Sequence, residues 1–154
     1  MKKITVREFL QKFENPFRTV IVNESNTILE VLKKMLTEKE ERVVYVVDAK
    51  NTLQGIITTG KLAQHFFHEE ISPSCGFHPS SSILHYLTAE HAKDIMERDV
   101  VYCTEDETLE EARRKMFGKT VKKTIPVVDS EMHIIDALNI ITIMEYGLNG
   151  HDIP

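Results

Sequence analysis

Cysteine is scarce in this chain. Cys75 and Cys103 are the only two in 154 residues, too few for a disulfide framework at this length. Long apolar runs are missing as well: no window approaches the ~18 apolar residues of a membrane-crossing helix. The opening MKKITVREFL sets charges inside its short apolar pattern, which predicts no cleaved leader. Nor is there a basic surplus. The net charge is −5, against a nucleic-acid surface, which normally needs a clustered basic face. Arg113, Arg114 and Lys115 are the densest basic run, with Lys122 and Lys123 close behind, and a solvated helix face accounts for them. What is present is ordinary: 42% apolar and 28% charged residues, enough for one compact domain or two small halves sharing a core. The expectation is a cytoplasmic protein with neither membrane nor nucleic acid as partner.

The chain repeats itself. Shifted by 81 residues, Arg18–His65 aligns without a gap on Asp99–Tyr146. Val20 falls on Val101, Glu24 on Glu105, Thr27 on Thr108 and Glu30 on Glu111. Lys34-Met35 falls on Lys115-Met116, and Val46-Val47-Asp48 on Val127-Val128-Asp129. An internal repeat outranks any single motif as a guide to fold.

Each copy predicts the same order of elements. A short strand (Val20–Val22; Val100–Cys103) precedes a helix opened by a Thr-x-x-Glu capping box, Thr27 with Glu30 and Thr108 with Glu111. Ile28, Val31, Leu32, Met35 and Leu36 give the first helix a full apolar stripe. Leu109, Ala112, Met116 and Phe117 continue it in the second, where Arg113 interrupts. Val43–Val47 and Thr124–Val128 are β-branched runs that suggest burial on both faces. A polar turn leads to Leu53–Thr58 and Ile134–Leu138. A last helix runs from about Thr59 to His68, and from about Ile140 to Tyr146 with a stop at Gly147. The expected class is α/β, two β-α-β-β-α repeats packed as a pseudo-two-fold pair. The first repeat spans residues 1–70, a linker 71–91 and the second repeat 92–154.

Three stretches carry a resemblance: AKDIM (Ala92–Met96), VVYCTEDETLEEARRKM after it, and TIPVVD (Thr124–Asp129). With the repeat, they make the chain similar to tandem CBS-domain proteins, whose pairs form a Bateman module. The first copy diverges more, with VREFL in place of AKDIM and NPFRT inserted before Val20. The resemblance implies a non-catalytic regulatory sensor. It implies adenosine-containing ligands (AMP, ADP, ATP, S-adenosylmethionine or cyclic dinucleotides) in clefts between repeats, a homodimer, and a regulated protein of unknown identity. It also implies a ligand motif Gly-h-x-[Ser/Thr]-x-x-Asp, whose Ser/Thr and helix start meet phosphate while the Asp grips ribose. Gly55, Thr58 and Lys61 hold those places in the first repeat; Asp136, Asn139 and Thr142 hold them in the second. Val22 and Cys103 on the first strands, Val44-Tyr45 and Ile125-Pro126 on the next, and Thr59 beside Thr58 complete the implied ligand set.

Lys61 is the departure that matters. A carboxylate accepts hydrogen bonds from a sugar diol, whereas an ammonium only donates. Lys61 instead adds positive charge to a helix start whose free N–H groups already favour anions. That shifts the first site from ribose towards phosphate, though a solvated first-turn lysine is an equal account. In the second repeat Asn139 reads first as a helix cap, with Thr142 offering a weaker diol partner. Pro126 reads either as part of an adenine edge or as the shaper of a strand edge. Tyr45 can stack on a base or pack in the core.

The linker carries H-x-x-H-x6-C-x-x-H: His65, His68, Cys75 and His78. Zinc accepts all four types, yet structural zinc sites offer more cysteines at stricter spacing, so a metal centre here is an alternative only. Cys75 with His78 lacks any patterned third group or oxyanion hole, which argues against turnover. A further alternative is a protein-interaction module that needs no ligand.

Overall fold

The computed structural model describes residues 3–13, 19–37, 43–67 and 87–150. Its contacts divide the chain into two units: Thr19–Val100, and Met1–Arg18 together with Val101–Pro154. Each unit holds one three-stranded mixed sheet.

In the Thr19–Val100 unit the sheet order is β1 (Val20–Asn23), β2 (Val43–Val47), β3 (Leu53–Thr58). β1 and β2 run parallel, with Val22 opposite Val46; β2 and β3 are antiparallel, with Val44 opposite Ile57 and Val46 opposite Gly55. Between β1 and β2 runs α2 (Ile28–Thr37), and α3 (Thr59–Phe66) follows β3 directly. Val20, Val22, Val44, Val46 and Ile57 pack with Ile28, Val31, Met35 and Leu62 into one core. The alternation of β3, buried at Leu53, Gly55 and Ile57, is that of a sheet with one covered face. β2 is buried from Val44 to Val47, as its β-branched run predicts. Leu36 leaves the expected stripe of α2 and is exposed.

The other unit repeats this with β4 (Cys103–Thr104), β5 (Thr124–Val128) and β6 (Ile134–Asn139), and with α5 (Leu109–Met116) and α6 (Ile140–Leu148). Leu109, Ala112 and Met116 of α5 are buried, but Phe117 caps the helix and is exposed, contrary to the expected stripe. α6 passes through Gly147 to end at Leu148, one residue beyond the predicted stop.

Pro126 corrects the strand reading. It lies in β5, the central strand, not at an edge. The antiparallel ladder with β6 runs through it, Pro126 opposite Ala137, but the parallel ladder with β4 starts only at Cys103 opposite Val127. A proline has no N–H to give a ladder. In the other unit, Tyr45 stands at the equivalent place and pairs with Ile21. The strand predicted over Val100–Cys103 is accordingly reduced to Cys103–Thr104.

A short helix opens each repeat, and the two are exchanged. α1 (Val6–Lys12) stands ahead of β1 yet belongs to the unit of β4–β6; α4 (Ala92–Ile95) stands ahead of β4 yet belongs to the unit of β1–β3. The docking bonds correspond one to one. Val6 N donates to Glu107 O and Ala92 N to Asn26 O; Arg7 N donates to Glu105 O and Lys93 N to Glu24 O. Leu109 N donates to Ile4 O and Ile28 N to Glu90 O. The repeats read as 1–70 and 92–154 are therefore not the compact units, because each unit completes its core with the other repeat's leading helix. Val6 and Phe9 of α1 are fully buried, and Phe9 stacks on Phe13 at 5.3 Å while Tyr146 meets both rings edge-on. Burying one such aromatic is worth about 1.5–3 kcal/mol. The exposed pairs Lys3–Glu110 and Arg7–Asp106 are screened by solvent and add little beside this.

Candidate functional site

The turn from β3 into α3 is the best-formed candidate. Thr58 is extended (φ −89, ψ 159) and caps α3, its Oγ1 accepting from Lys61 N at 3.1 Å. The hydroxyl proton stays available to donate. No acidic residue occupies the first turn of α3, and among the described residues no carboxylate lies within ion-pair distance of Lys61. A helix start whose first turn carries cation and hydroxyl but no carboxylate suits an anion. Lys61 is partly exposed and Thr59 exposed.

Gly55 has a different explanation. A Cβ built there would meet Glu97 O at 2.6 Å and Met96 Cγ and Sδ at 2.8 Å. Residues after α4 lie against β3 here, with Ile56 N donating to Glu97 O (2.9 Å) and Glu97 N to Ile56 O (2.8 Å). Packing of Met96 over the strand therefore accounts for the glycine. AKDIM marks that role in the sequence, though only the fold shows which strand it covers.

The strand candidates place their side chains inside. Val22 and Val44 belong to one core, Cys103 and Ile125 to the other; Tyr45 and Pro126 are buried too. Such residues can offer a ligand only their backbone. Burial pushes the Cys103 thiol up to about 12, with the Glu107 charge adding to the rise, so it is no nucleophile.

In the second repeat the motif positions satisfy one another. Asn139 is 8% exposed and Thr142 5%. Asn139 Oδ1 accepts from Ile141 N at 2.8 Å, its Nδ2 donates to Thr124 Oγ1 at 3.2 Å, and Thr142 Oγ1 donates to Asn139 O at 2.7 Å. Asn139 caps α6, and Thr142 is turned to its own helix. Asp136 accepts from Ala137 N.

Of the linker set, His65 lies on α3, while His68, Cys75 and His78 fall outside the described residues. Among the described residues no group of three or more His, Cys, Asp or Glu is placed to hold a metal ion, and no helix is long and apolar enough to cross a membrane. One repeated contact escaped the sequence reading. Lys34 Nζ donates to Ile21 O at 2.5 Å and Lys115 Nζ to Tyr102 O at 3.2 Å, each on the carbonyl of a residue at or just before its unit's first strand. The recurrence of that lysine in the repeat was the available signal.

Comparisons with known proteins agree with this architecture. A CBS domain-containing protein from Thermotoga maritima is 25% identical, each chain covered in full, with a TM-score of 0.70. The CBS domain pair of protein MJ0100, solved with 5′-methylthioadenosine and S-adenosyl-L-methionine, is 19% identical over 97% of this chain and 100% of that one, at 0.66. The cytosolic domain of the Mg2+ channel MgtE, solved with ATP, is 23% identical over 90% of this chain and 51% of that one, at 0.60. No curated protein matches the sequence. The CBS-domain family profile matches residues 6–68 and again 92–149. With two matches that together span most of its length, this chain belongs to the CBS-domain family as a tandem pair.

Proposed function

We propose that this chain is a non-catalytic regulatory module that senses an adenine nucleotide or a related phosphorylated metabolite. The observation that carries the reading is the start of α3, where the Thr58 hydroxyl and Lys61 share a helix N-terminus without a carboxylate. Relatives solved with S-adenosyl-L-methionine and with ATP supply the ligand class. Lys61 in place of an acidic residue favours AMP, ADP or ATP, held through phosphate, over S-adenosylmethionine, which presents a cation. The self-satisfied Asn139–Thr142 pair leaves the first repeat as the working site. Binding favours one arrangement of the protein, in the free form one of several, and a regulated partner reads it. The functional form is a homodimer.

A melting-temperature series with these nucleotides tests the reading. A binder at roughly 100-fold over its Kd adds about 2.7 kcal/mol. Lys61→Asp weakens a multiply phosphorylated ligand and improves grip on a nucleoside. Unchanged affinities for both would remove Lys61 from the site.

A second reading, an interaction module without ligand, has one observation in its favour. Ile141, Met144 and Leu148 line one side of α6 and are all exposed. Its signature is no thermal shift with any nucleotide and a stable complex regardless.

A further inference from the structure

The basic residues in the last turn of α5 and in the loop after it divide into two kinds of cation. Arg114 is paired with Glu110 at 2.7 Å, and Lys115 with Glu107. A solvated helix face explains those two. It does not explain Arg113, Lys119, Lys122 and Lys123, for which no carboxylate lies within ion-pair distance among the described residues. Residues 113–123 hold no Asp or Glu at all.

Apolar groups stand among these cations. Phe117 is 50% exposed and Val121 52%, and the two are bridged across a tight turn, Phe117 opposite Val121. The turn is anchored, with Phe117 N donating to Arg114 O and Lys122 N to Met116 O. The Arg113 guanidinium lies 5.9 Å from the Phe117 ring centre. The loop is thus a formed turn whose exposed apolar pair stands among cations without a carboxylate partner.

We propose that this loop docks the protein on an anionic lipid bilayer, Phe117 and Val121 entering the interface while Arg113, Lys119, Lys122 and Lys123 meet headgroup phosphates. Aromatic and aliphatic groups beside flexible cations are the combination such an interface selects. Three of the four cations are lysines, compact point charges suited to a diffuse anionic surface, whereas an acidic protein partner favours the bidentate fork of arginine. The chain's net charge of −5 opposes indiscriminate adsorption to such a surface, so the loop also favours one orientation. Surface docking needs no spanning helix, and Lys61 takes no part in it.

The test is co-sedimentation of the full chain with vesicles of phosphatidylcholine alone or mixed with phosphatidylglycerol. The expected result is binding to the mixed vesicles only, weakening as salt rises. Each cation near an anionic surface strengthens partitioning roughly fivefold, so Lys119→Gln, Lys122→Gln and Lys123→Gln together lower it on the order of a hundredfold. Phe117→Ser weakens it further, and circular dichroism verifies the fold of every variant. Lys50→Gln with Lys93→Gln, which removes charge elsewhere, leaves it unchanged. The proposal is overturned if the mixed vesicles fail to sediment the protein, if the distant pair matters as much as the loop, or if polyglutamate competes as well as the vesicles do.

Discussion

Replacing Gly55 by alanine puts a methyl group where there is no room for one. The new Cβ falls 2.6 Å from Glu97 O and 2.8 Å from Met96 Cγ and Sδ. Met96 can rotate away, but Glu97 O is backbone and is held by two hydrogen bonds with Ile56. Either β3 or the segment after α4 must move. Overpacking of this kind costs about 1–3 kcal/mol, and losing two exchanged backbone bonds costs about 1 kcal/mol each. The sum is a loss of about 3–5 kcal/mol with no ligand present. Urea unfolding followed by circular dichroism reads this as a lower midpoint at unchanged slope. Adding Met96→Ala recovers only part, since the carbonyl remains. Gly60→Ala is the control: its Cβ meets nothing nearer than Thr58 Oγ1 at 3.9 Å, in the first turn of α3, so stability holds or rises by up to about 1 kcal/mol. A Gly55→Ala protein within ~0.5 kcal/mol of the parent would refute the packing account and return the glycine to a ligand role.

Two further outcomes follow from the polar turns. Met132 has φ 64, a left-handed conformation that Asn51 adopts (φ 63) at the equivalent place in the other repeat. Since a residue without special tolerance pays about 1 kcal/mol there, Met132→Asn should raise the melting temperature, and an unchanged or lower value would count against strain. The second concerns acid. The Asp48 and Asp129 carboxyls sit below the usual carboxylate range, chiefly because backbone N–H groups of Thr52 and His133 donate to them. Their folded-state values lie below the unfolded ones, so the contribution is complete above the ordinary carboxylate range and is lost as pH falls from there through the lowered folded-state values. Asp48→Asn with Asp129→Asn should flatten the melting-temperature profile in that acid window; a profile as steep as the parent's would assign the acid sensitivity to other groups.

Much of the fold was legible because it is local. The β-branched runs of Val43–Val47 and Thr124–Val128 and the capping boxes at Thr108 and Thr27 act within a few residues, and each lies where the pattern placed it. Phe117 and Leu36 misled because a stripe says nothing of where the covering layer ends. Pro126 misled because a central strand admits proline once its neighbour is short, a property of the neighbour. The partners of α1 and α4 are set by contacts far along the chain, which periodicity does not encode. At the site, the residue types at Thr58 and Lys61 were readable, whereas the role of Gly55 depends on Met96 and Glu97, some forty positions away.

The crossed leading helices also give synthesis a direction. One unit is a continuous stretch, Thr19–Val100, and can close as soon as that stretch has left the ribosome. The other draws on segments at either side of that stretch, so Val6 and Phe9 emerge before it and wait, uncovered, for Tyr146 to arrive. Nascent chains stalled in that interval are the ones most exposed to aggregation and chaperone capture, and deleting α1 injures the unit of β4–β6 and spares that of β1–β3.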